Sequence, residues 1–136
     1  MRRADVLGMG KGRPESEIVS AILLACNRLP GVRLFRLNSR VVRMPGQGGR
    51  DRLVRFGWLG ASDIIGWRAE CSLCLGSGDG HICRDGRSAA ILIALEVKRP
   101  GGAPTSEQQS FLDLVRKDGG IAGCVHSVQE AMEVLG

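Results

Sequence analysis

The sequence predicts a single α/β domain in which a mixed central sheet is flanked by helices. An apolar run of strand-forming residues at positions 91–97 is typical of a buried central strand. A helix, a short apolar strand and a second helix are predicted to follow it, an order that is common in α/β domains. The 136 residues, 43% of them hydrophobic, are enough for one core and too few for two.

Charge is distributed unevenly along the chain. Residues 1–60 hold 12 Lys and Arg against 4 Asp and Glu, whereas residues 61–136 hold 7 against 10. This asymmetry favours a polyanion as partner of the N-terminal half, although arginine can also serve simply to keep a surface solvated. No run of about 18 apolar residues is present, so we expect no membrane span. The charged N-terminus has no apolar stretch after it that is typical of a signal peptide, so we expect a cytoplasmic protein.

The first predicted helix covers residues 15–28 and follows a basic, flexible lead-in at residues 1–14. Pro14 suits the start of a helix, and the Pro-Gly pair at positions 30 and 31 ends it. Glu15 precedes Ile18 and Ile22 by three and seven residues, which predicts that it lies on the inward face. It is therefore a candidate site residue, with favourable interaction with the helix dipole as the alternative reading.

Extended segments are predicted next, at residues 32–44 and 53–58. Between them, residues 45–50 form a glycine-rich loop with Arg50 at its base, which is either a hairpin tip or a loop that follows a phosphate backbone. A glycine turn then leads into a strand at residues 60–67, with Asp63 at its start. Because strand interiors disfavour aspartate, Asp63 needs either a functional role or a role in capping the local turn.

The segment at about 68–87 is predicted to be an insert with four soft metal ligands. They follow the pattern C-x2-C-x6-H-x-C and are Cys71, Cys74, His81 and Cys83. Four such ligands suit a structural Zn²⁺ ion, and the alternative is a cysteine-containing loop in a reducing cytosol. The two other cysteines, at positions 26 and 124, lie among apolar residues and are predicted to be core residues.

The central strand ends in two charged residues, Glu96 and Lys98. Alternate residues of a strand share a face, so both side chains point the same way. A charged pair at the end of a buried strand is costly unless something requires it.

Two capping boxes are predicted beyond this strand. The first, from Thr105 to Gln108, begins a helix that runs to about Lys117 and places Gln108 toward the sheet. A short buried strand at residues 121–125 follows. The second box, from Ser127 to Glu130, begins a last helix that runs through position 135.

Asp63 and Glu96 are predicted to meet at the ends of two neighbouring strands. Paired carboxylates provide the oxygen ligands that Mg²⁺ or Mn²⁺ prefer and leave open positions for water and phosphate. Lys98, one strand step away, suits contact with an attacking water or a scissile phosphate. Metal and lysine together would stabilise the charge of a phosphodiester transition state, so the pattern favours nucleic-acid cleavage.

These residues resemble the pattern of PD-(D/E)XK nucleases, and more specifically the VRR-NUC (virus-type replication-repair nuclease) domain. The resemblance covers nearly the whole chain from position 15. The matching pieces are Glu15, Arg36, Asn38, residues 60–66, residues 94–98, residues 105–112 and the tail at residues 119–131. It implies a restriction-endonuclease-like core, a divalent-metal site and cleavage of DNA phosphodiesters.

The resemblance also implies roles for individual residues. Asp63, Glu96 and the backbone carbonyl of Val97 would bind the metal, and Lys98 would position or activate water. Glu15 would act through the metal or its waters, and Gln108 would orient the site. The candidates for contact with DNA are Arg36, Asn38 and Arg50. The resemblance to small viral-type members also implies a homodimer that cuts branched DNA such as four-way (Holliday) junctions. We therefore expect this chain to be a homodimer that acts in phage or viral replication and repair.

Two features depart from the family pattern. Ser62 stands where the superfamily name expects proline, and the Cys/His segment has no counterpart in the pattern. The alternative function is a non-catalytic nucleic-acid-binding module with a zinc-stabilised loop. A third interpretation is that Glu96 and Lys98 form only a surface ion pair. Such a pair would contribute little stability, and it would give no reason for Asp63 and Gln108.

Overall fold

The computed structural model describes residues 13–38, 41–55, 57–71 and 88–136, and within these ranges the predicted α/β fold class is confirmed. Its elements in chain order are α1 (Glu15–Cys26), β1 (Val32–Arg36), β2 (Val41–Met44), β3 (Arg52–Arg55), β4 (Ile64–Cys71), β5 (Ser88–Val97), α2 (Ser106–Lys117), β6 (Ile121–Val125) and α3 (Val128–Leu135). One turn of 3₁₀ helix at Gln47–Gly49 joins β2 to β3. Within the described ranges, no helix is long and apolar enough to cross a membrane.

The central sheet is mixed, as the sequence predicts. Its strand order is β1-β4-β5-β6, in which β4 runs antiparallel to both β1 and β5, and β6 runs parallel to β5. Strands β2 and β3 pair with each other in a separate two-stranded sheet. Strand β5 is therefore paired on both sides, and its second half, Ile93–Val97, is buried and apolar except for Glu96.

Helices cover the two faces of the sheet with different partners. On one face, Ile93, Leu95 and Val97 of β5 pack with buried residues of α1 and α3 in the larger core cluster. On the other face, Ala94 packs with buried residues of α2 in a smaller cluster. Because side chains alternate along a strand, Glu96 lies on the same face as Ala94. The charged end of β5 thus faces the α2 side of the sheet.

Several predicted boundaries shift in the structure. The first helix ends at Cys26 rather than at residue 28, and Cys26 is fully buried as predicted. Strand β4 continues to Cys71, which pairs with Ser88. The described part of the predicted insert, residues 68–71, is therefore regular strand. Residues 72–87, and residues 1–12 of the predicted lead-in, lie outside the described residues.

The capping box of α2 is confirmed, whereas that of α3 is wrong in its second half. Ser127 Oγ accepts a hydrogen bond from the Glu130 N–H at 3.1 Å, as a cap should. The Glu130 carboxylate instead accepts from the His126 N–H and contacts His126 Nδ1, both at 2.8 Å. His126 therefore offers both its backbone N–H and a ring nitrogen to the Glu130 carboxylate. His126 Nε2 lies 2.7 Å from the Gly102 carbonyl oxygen, so this imidazole ties the loop after β5 to the start of α3.

An asparagine side chain completes the outer edge of the central sheet. Strand β1 has β4 as its only strand neighbour in the described sheet, so backbone groups on its other edge need partners. Asn27 supplies them for Leu34: its Nδ2 donates to the Leu34 carbonyl at 2.9 Å, and its Oδ1 accepts from the Leu34 N–H at 2.8 Å. The amide therefore acts as one more strand residue at the sheet edge.

Replacing Asn27 should weaken this edge. We expect Asn27→Ala to lower the free energy of unfolding by about 1–2 kcal/mol, because two hydrogen bonds to Leu34 are lost. Asn27→Asp should also destabilise, since a carboxylate can accept from the Leu34 N–H but cannot donate to its carbonyl. Urea denaturation measures both effects, with Arg28→Ala at the exposed neighbouring position as control. Equal stability of Asn27→Ala and the control would contradict this role.

Candidate active site

Asp63 lies immediately before β4 and bonds to both neighbouring strands. Its Oδ2 accepts a hydrogen bond from the Val97 N–H of β5 at 2.9 Å. Its backbone carbonyl accepts from the Leu37 N–H, just beyond β1, at 2.8 Å. The Asp63 carboxylate thus bonds across to the next strand, and this contact fixes it beside Glu96 at the end of β5.

Glu96 is the most deeply buried charged group at this end of the sheet. It is 1% exposed, and its Oε1 lies 3.2 Å from Lys98 Nζ. Its Oε2 is also buried, and no N–H or O–H group within the described ranges donates to it. Burial, together with the charge and proximity of the Asp63 carboxylate, raises the pKa of Glu96 to about 7 against the opposing effect of Lys98. A pKa shift of this size means that the site disfavours the ionised form of Glu96 by about 3 kcal/mol.

The two carboxyl groups face each other with too few protein donors. At this distance the pair either shares a proton, so that one group is neutral, or needs a cation between the two groups when both are ionised. Mg²⁺ and Mn²⁺ take such oxygen ligands, so the donor set fits the predicted metal. Among the described residues, no group of three or more His, Cys, Asp or Glu side chains is arranged to hold a metal ion. A cation bound by Asp63 and Glu96 would therefore keep positions for water and substrate.

A polar cavity of about 270 Å³ opens beside Asp63. The residues that line it come from the end of β1, from the loop before β4 and from the start of α2. They are Arg36, Leu37, Asn38, Gly60, Ala61, Asp63 and Gln108. Three residues predicted from sequence, Arg36, Asn38 and Gln108, are thus brought together with Asp63. Lys98 reaches the same carboxylate pair through Glu96, which lies beneath the surface.

Gln108 is held in place by the start of its own helix. Its Oε1 accepts from the Thr105 N–H at 2.8 Å, and its own N–H donates to Thr105 Oγ1 at 3.2 Å. This reciprocal capping box fixes the side chain at the helix start, where it borders the cavity. Gln108 therefore serves the helix and the site with one conformation.

Gly60 allows the loop before Asp63 to lie against the start of α2. A Cβ atom at this position would lie 2.5 Å from the Glu107 carbonyl oxygen and 2.9 Å from the Gln108 nitrogen. The backbone of Gly60 also has a φ of 79°, a region that favours glycine. The absence of a side chain here is what lets Asp63 and Gln108 share one cavity.

Two other predicted site residues, Glu15 and Arg50, do not line the cavity beside Asp63. The expectation that Glu15 points inward is wrong, because it is exposed in the first turn of α1. The helix turns Ile18, Val19 and Ile22 into the core instead. Arg50 follows the 3₁₀ turn at the base of the β2–β3 hairpin and does not line the cavity beside Asp63.

The predicted zinc ligands are only partly described. Cys71 is buried within β4, where it is 2% exposed. Cys74, His81 and Cys83 lie outside the described residues. The zinc site therefore stays a prediction.

Two residues near the site have surroundings that the sequence did not predict. Cys124, predicted to be a core residue, is half-buried and pairs with Glu96 in the β5–β6 register. Burial raises the pKa of its thiol, and the nearby Glu96 charge raises it further. Ser62 is buried, and its Oγ has no hydrogen-bond partner in the described part of the chain. The alternation of β6 could have placed Cys124 on the α2 face, but the register that sets it beside Glu96 is not visible in the sequence.

Comparison with known proteins adds no family or function. No protein-family model, no curated protein and no solved structure gives a significant match to this chain. The functional argument therefore depends on the geometry around Asp63, Glu96 and Lys98, and on the motifs in which they occur.

The role of Gly60 can be separated from simple backbone strain. We expect Gly60→Ala to destabilise the protein by about 1–3 kcal/mol more than Gly48→Ala, because only Gly60 faces backbone atoms of α2. Gly48 is the matched control, since its φ of 76° is nearly the same and nothing lies within 4 Å of its Cβ position. Urea denaturation of both variants measures the difference. Equal losses would mean that the close approach to α2 is unimportant.

The raised pKa of Glu96 predicts a pH-dependent stability in the absence of metal. Between its ordinary value of 4.5 and about 7, the folded protein binds more protons at Glu96 than the unfolded chain does. Stability should therefore fall as pH rises through this interval, by up to about 3 kcal/mol for this group. Glu96→Gln should lose this component of the pH dependence.

The measurement is denaturation of both proteins in chelator from pH 5 to pH 8. Hydrogen bonds to Gly102 and Glu130 raise the pKa of His126, so its contribution also declines as pH rises past the ordinary histidine value. The difference between wild type and Glu96→Gln removes this shared background. Parallel stability curves for the two proteins would rule out the proposed titration.

Proposed function

We propose that this chain is a divalent-metal-dependent DNA endonuclease of the PD-(D/E)XK type. The observation that carries the proposal is the close carboxylate pair of Asp63 and Glu96, in which Glu96 Oε2 is buried without a hydrogen-bond partner among the described residues and Glu96 Oε1 lies 3.2 Å from Lys98 Nζ. A buried carboxylate with an unpartnered oxygen and a raised pKa is more typical of a functional site than of a structural ion pair. Its partner Asp63 lines an open polar cavity at this end of the sheet.

The residues divide the chemistry of phosphodiester hydrolysis among them. A bound Mg²⁺ or Mn²⁺ ion would stabilise the negative charge of the transition state and lower the pKa of a bound water. Asp63 and Glu96 would hold that ion, with the Val97 carbonyl as a further ligand. Lys98 would orient the attacking water or neutralise the scissile phosphate, and the ammonium group already lies beside Glu96.

The walls of the cavity suit a phosphate backbone. Arg36 and Asn38, at the end of β1, offer cationic and amide donors next to Asp63. Gln108, at the start of α2, contributes a further amide to the lining of the cavity. The excess of 12 basic over 4 acidic residues in positions 1–60 would attract the rest of the nucleic acid.

The substrate and assembly follow from the resemblance rather than from the site. Within the proposal, the chain is a VRR-NUC-type enzyme that acts as a homodimer on branched DNA such as four-way junctions, in phage or viral replication and repair. The buried acidic pair and the phosphate-binding walls are compatible with any DNA phosphodiester. A panel of single-stranded, duplex, flap and junction DNAs in Mn²⁺ would identify the preferred structure, and sizing in solution would test the dimer.

Cleavage should depend on the site residues and on metal. We expect Asp63→Asn and Lys98→Ala each to reduce cleavage of branched DNA by at least about 100-fold in Mg²⁺ or Mn²⁺. The first removes a carboxylate that would hold the metal, and the second removes a positive charge that would stabilise the transition state. Chelation of metal should abolish cleavage by the wild type.

The controls make the same chemical changes on the exposed part of α2, namely Asp113→Asn and Lys117→Ala. Both should cut at the wild-type rate, and circular dichroism should confirm that all four variants are folded. Wild-type cleavage by Lys98→Ala would refute the assigned roles. DNA binding that ignores metal, with no cleavage of any substrate by the wild type, would favour the non-catalytic binding module.

A further inference from the structure

Among the described residues, no helix packs on the β1–β4 half of the sheet on the face that carries the site. Helix α2 packs on β5 and β6, whereas α1 and α3 pack on the opposite face. Three large apolar side chains of the α2 face are consequently about half exposed: Phe35 at 48%, Trp67 at 43% and Leu92 at 44%. Isolated exposed apolar residues are common, but these three are neighbours in the sheet.

The strand register places these residues in two rows that lead away from the acidic pair. Phe35 pairs with Ile65 of β4. Ile65 is two residues from Asp63, a distance of about 7 Å along the chain. Trp67 pairs with Leu92 on one side and with Arg33 on the other, about 13 Å from Asp63. The diagonal between Phe35 and Trp67 is about 7–8 Å, within reach of two aromatic rings.

This surface combines π-faces with positive charge. Arg33 is exposed directly opposite Trp67, and its Nη1 donates to the Val32 carbonyl at 2.9 Å. Arg36 lies at the other end of β1, in the wall of the cavity beside Asp63. Aromatic rings that alternate with arginines are the usual platform for single-stranded nucleic acid, because every base has a π-face and every linkage has a negative charge.

We propose that Phe35, Trp67 and Leu92 form a stacking strip for unpaired bases of the DNA strand whose phosphate reaches Asp63. The inference rests on the proposed function, and among branched DNAs it favours those with single-stranded nucleotides near the cut, such as flaps, over fully paired four-way junctions. A phosphate at Asp63 and a base on Trp67 are a few nucleotides apart along one strand. Paired bases present their π-faces only to their neighbours in the stack, so a fully duplex substrate cannot use the strip.

The area of the strip favours a nucleic-acid strand over a second copy of the chain. Three large apolar side chains, each about half exposed, offer on the order of 300 Å². A stable protein interface needs about 800 Å² on each partner. The continuity of the strip with the phosphate-binding cavity through β1 also fits a strand that crosses both.

Tryptophan fluorescence tests the strip directly. The chain has two tryptophans and no tyrosine, so Trp58→Phe leaves Trp67 as the only tryptophan reporter. In chelator, which prevents metal-dependent cleavage, oligo(dT) should quench this signal and blunt duplex DNA of equal length should not. Trp67→Ala should lower the affinity for oligo(dT) by about 5–100-fold, in line with the loss of one stacked base. Trp67→Phe should restore most of that affinity, since it keeps a ring.

Leu24→Ala is the matched control, because Leu24 is an exposed apolar residue on α1, which packs on the other face. It should bind oligo(dT) like the wild type, and Trp67→Ala should bind blunt duplex within about twofold of the wild type. With metal, wild type should cut DNA with a single-stranded arm faster than blunt duplex, and Trp67→Ala should lose this preference.

Each alternative outcome is distinct. Unchanged oligo(dT) affinity in Trp67→Ala would overturn the strip while leaving the nuclease proposal intact. An equal loss for blunt duplex would assign Trp67 to general DNA binding and also overturn it. A shift from dimer to monomer in Trp67→Ala, with oligo(dT) affinity unchanged, would assign the face to a second copy. Absence of any cleavage by the wild type, with quenching intact, would refute the nuclease proposal alone.

Discussion

The hydrogen bond from the Val97 N–H to Asp63 Oδ2, at 2.9 Å, determines the arrangement of the charged end of the sheet. It holds the Asp63 carboxylate against β5, next to the buried Glu96. The carboxylate has taken the place of a backbone acceptor at the point where β4 begins and regular pairing with β5 starts. Because this bond uses one oxygen of Asp63 and the fold buries Glu96, the two acidic groups cannot move apart to relieve their repulsion.

The surrounding topology is what makes this crowded acidic end stable. Antiparallel pairing with β4 and parallel pairing with β6 leave β5 with strand partners on both sides, and two helix layers bury its apolar residues. Ile93, Leu95 and Val97 are fully buried on one face, which offsets the cost of ionising Glu96 on the other. Gly60 then lets the loop before β4 approach α2, so that Gln108 completes the cavity wall. Packing of the whole domain is therefore needed to hold one pair of carboxylates.

The parts predictable from sequence were those fixed by local periodicity and capping. The apolar alternation of β5 predicted that Glu96 and Lys98 share a face, and their 3.2 Å contact agrees. The spacing from Thr105 to Gln108 predicted the start of α2, because both halves of a capping box lie within one helical turn.

The features that were not predictable depend on tertiary contacts. Glu15 was placed wrongly because helical spacing identifies a face of the helix but not where the buried part of that face ends, and the first turn of α1 extends past the core. The second capping box is wrong in its Glu130 half because His126, the residue before the N-cap Ser127, competes for the Glu130 carboxylate. His126 offers that carboxylate both its backbone N–H and a ring nitrogen. The half-exposed strip at Trp67 depends on which strands α2 covers, a tertiary property that no local pattern contains.

The acidic pair differs from a structural ion pair in the way its oxygens are used. A buried salt bridge stabilises a fold only when hydrogen bonds satisfy the remaining oxygens, because the cost of desolvation is otherwise larger than the Coulomb gain. Lys98 meets Glu96 Oε1, yet Oε2 is buried without a donor among the described residues and the second carboxylate lies beside it. A lysine placed for stability alone would be expected to lie between the two carboxylates, where one ammonium could serve both. Lys98 instead forms its ion pair with Glu96 Oε1, and the Asp63 carboxylate lies close to the same glutamate. Such an arrangement becomes favourable when a further positively charged group joins the two carboxylates.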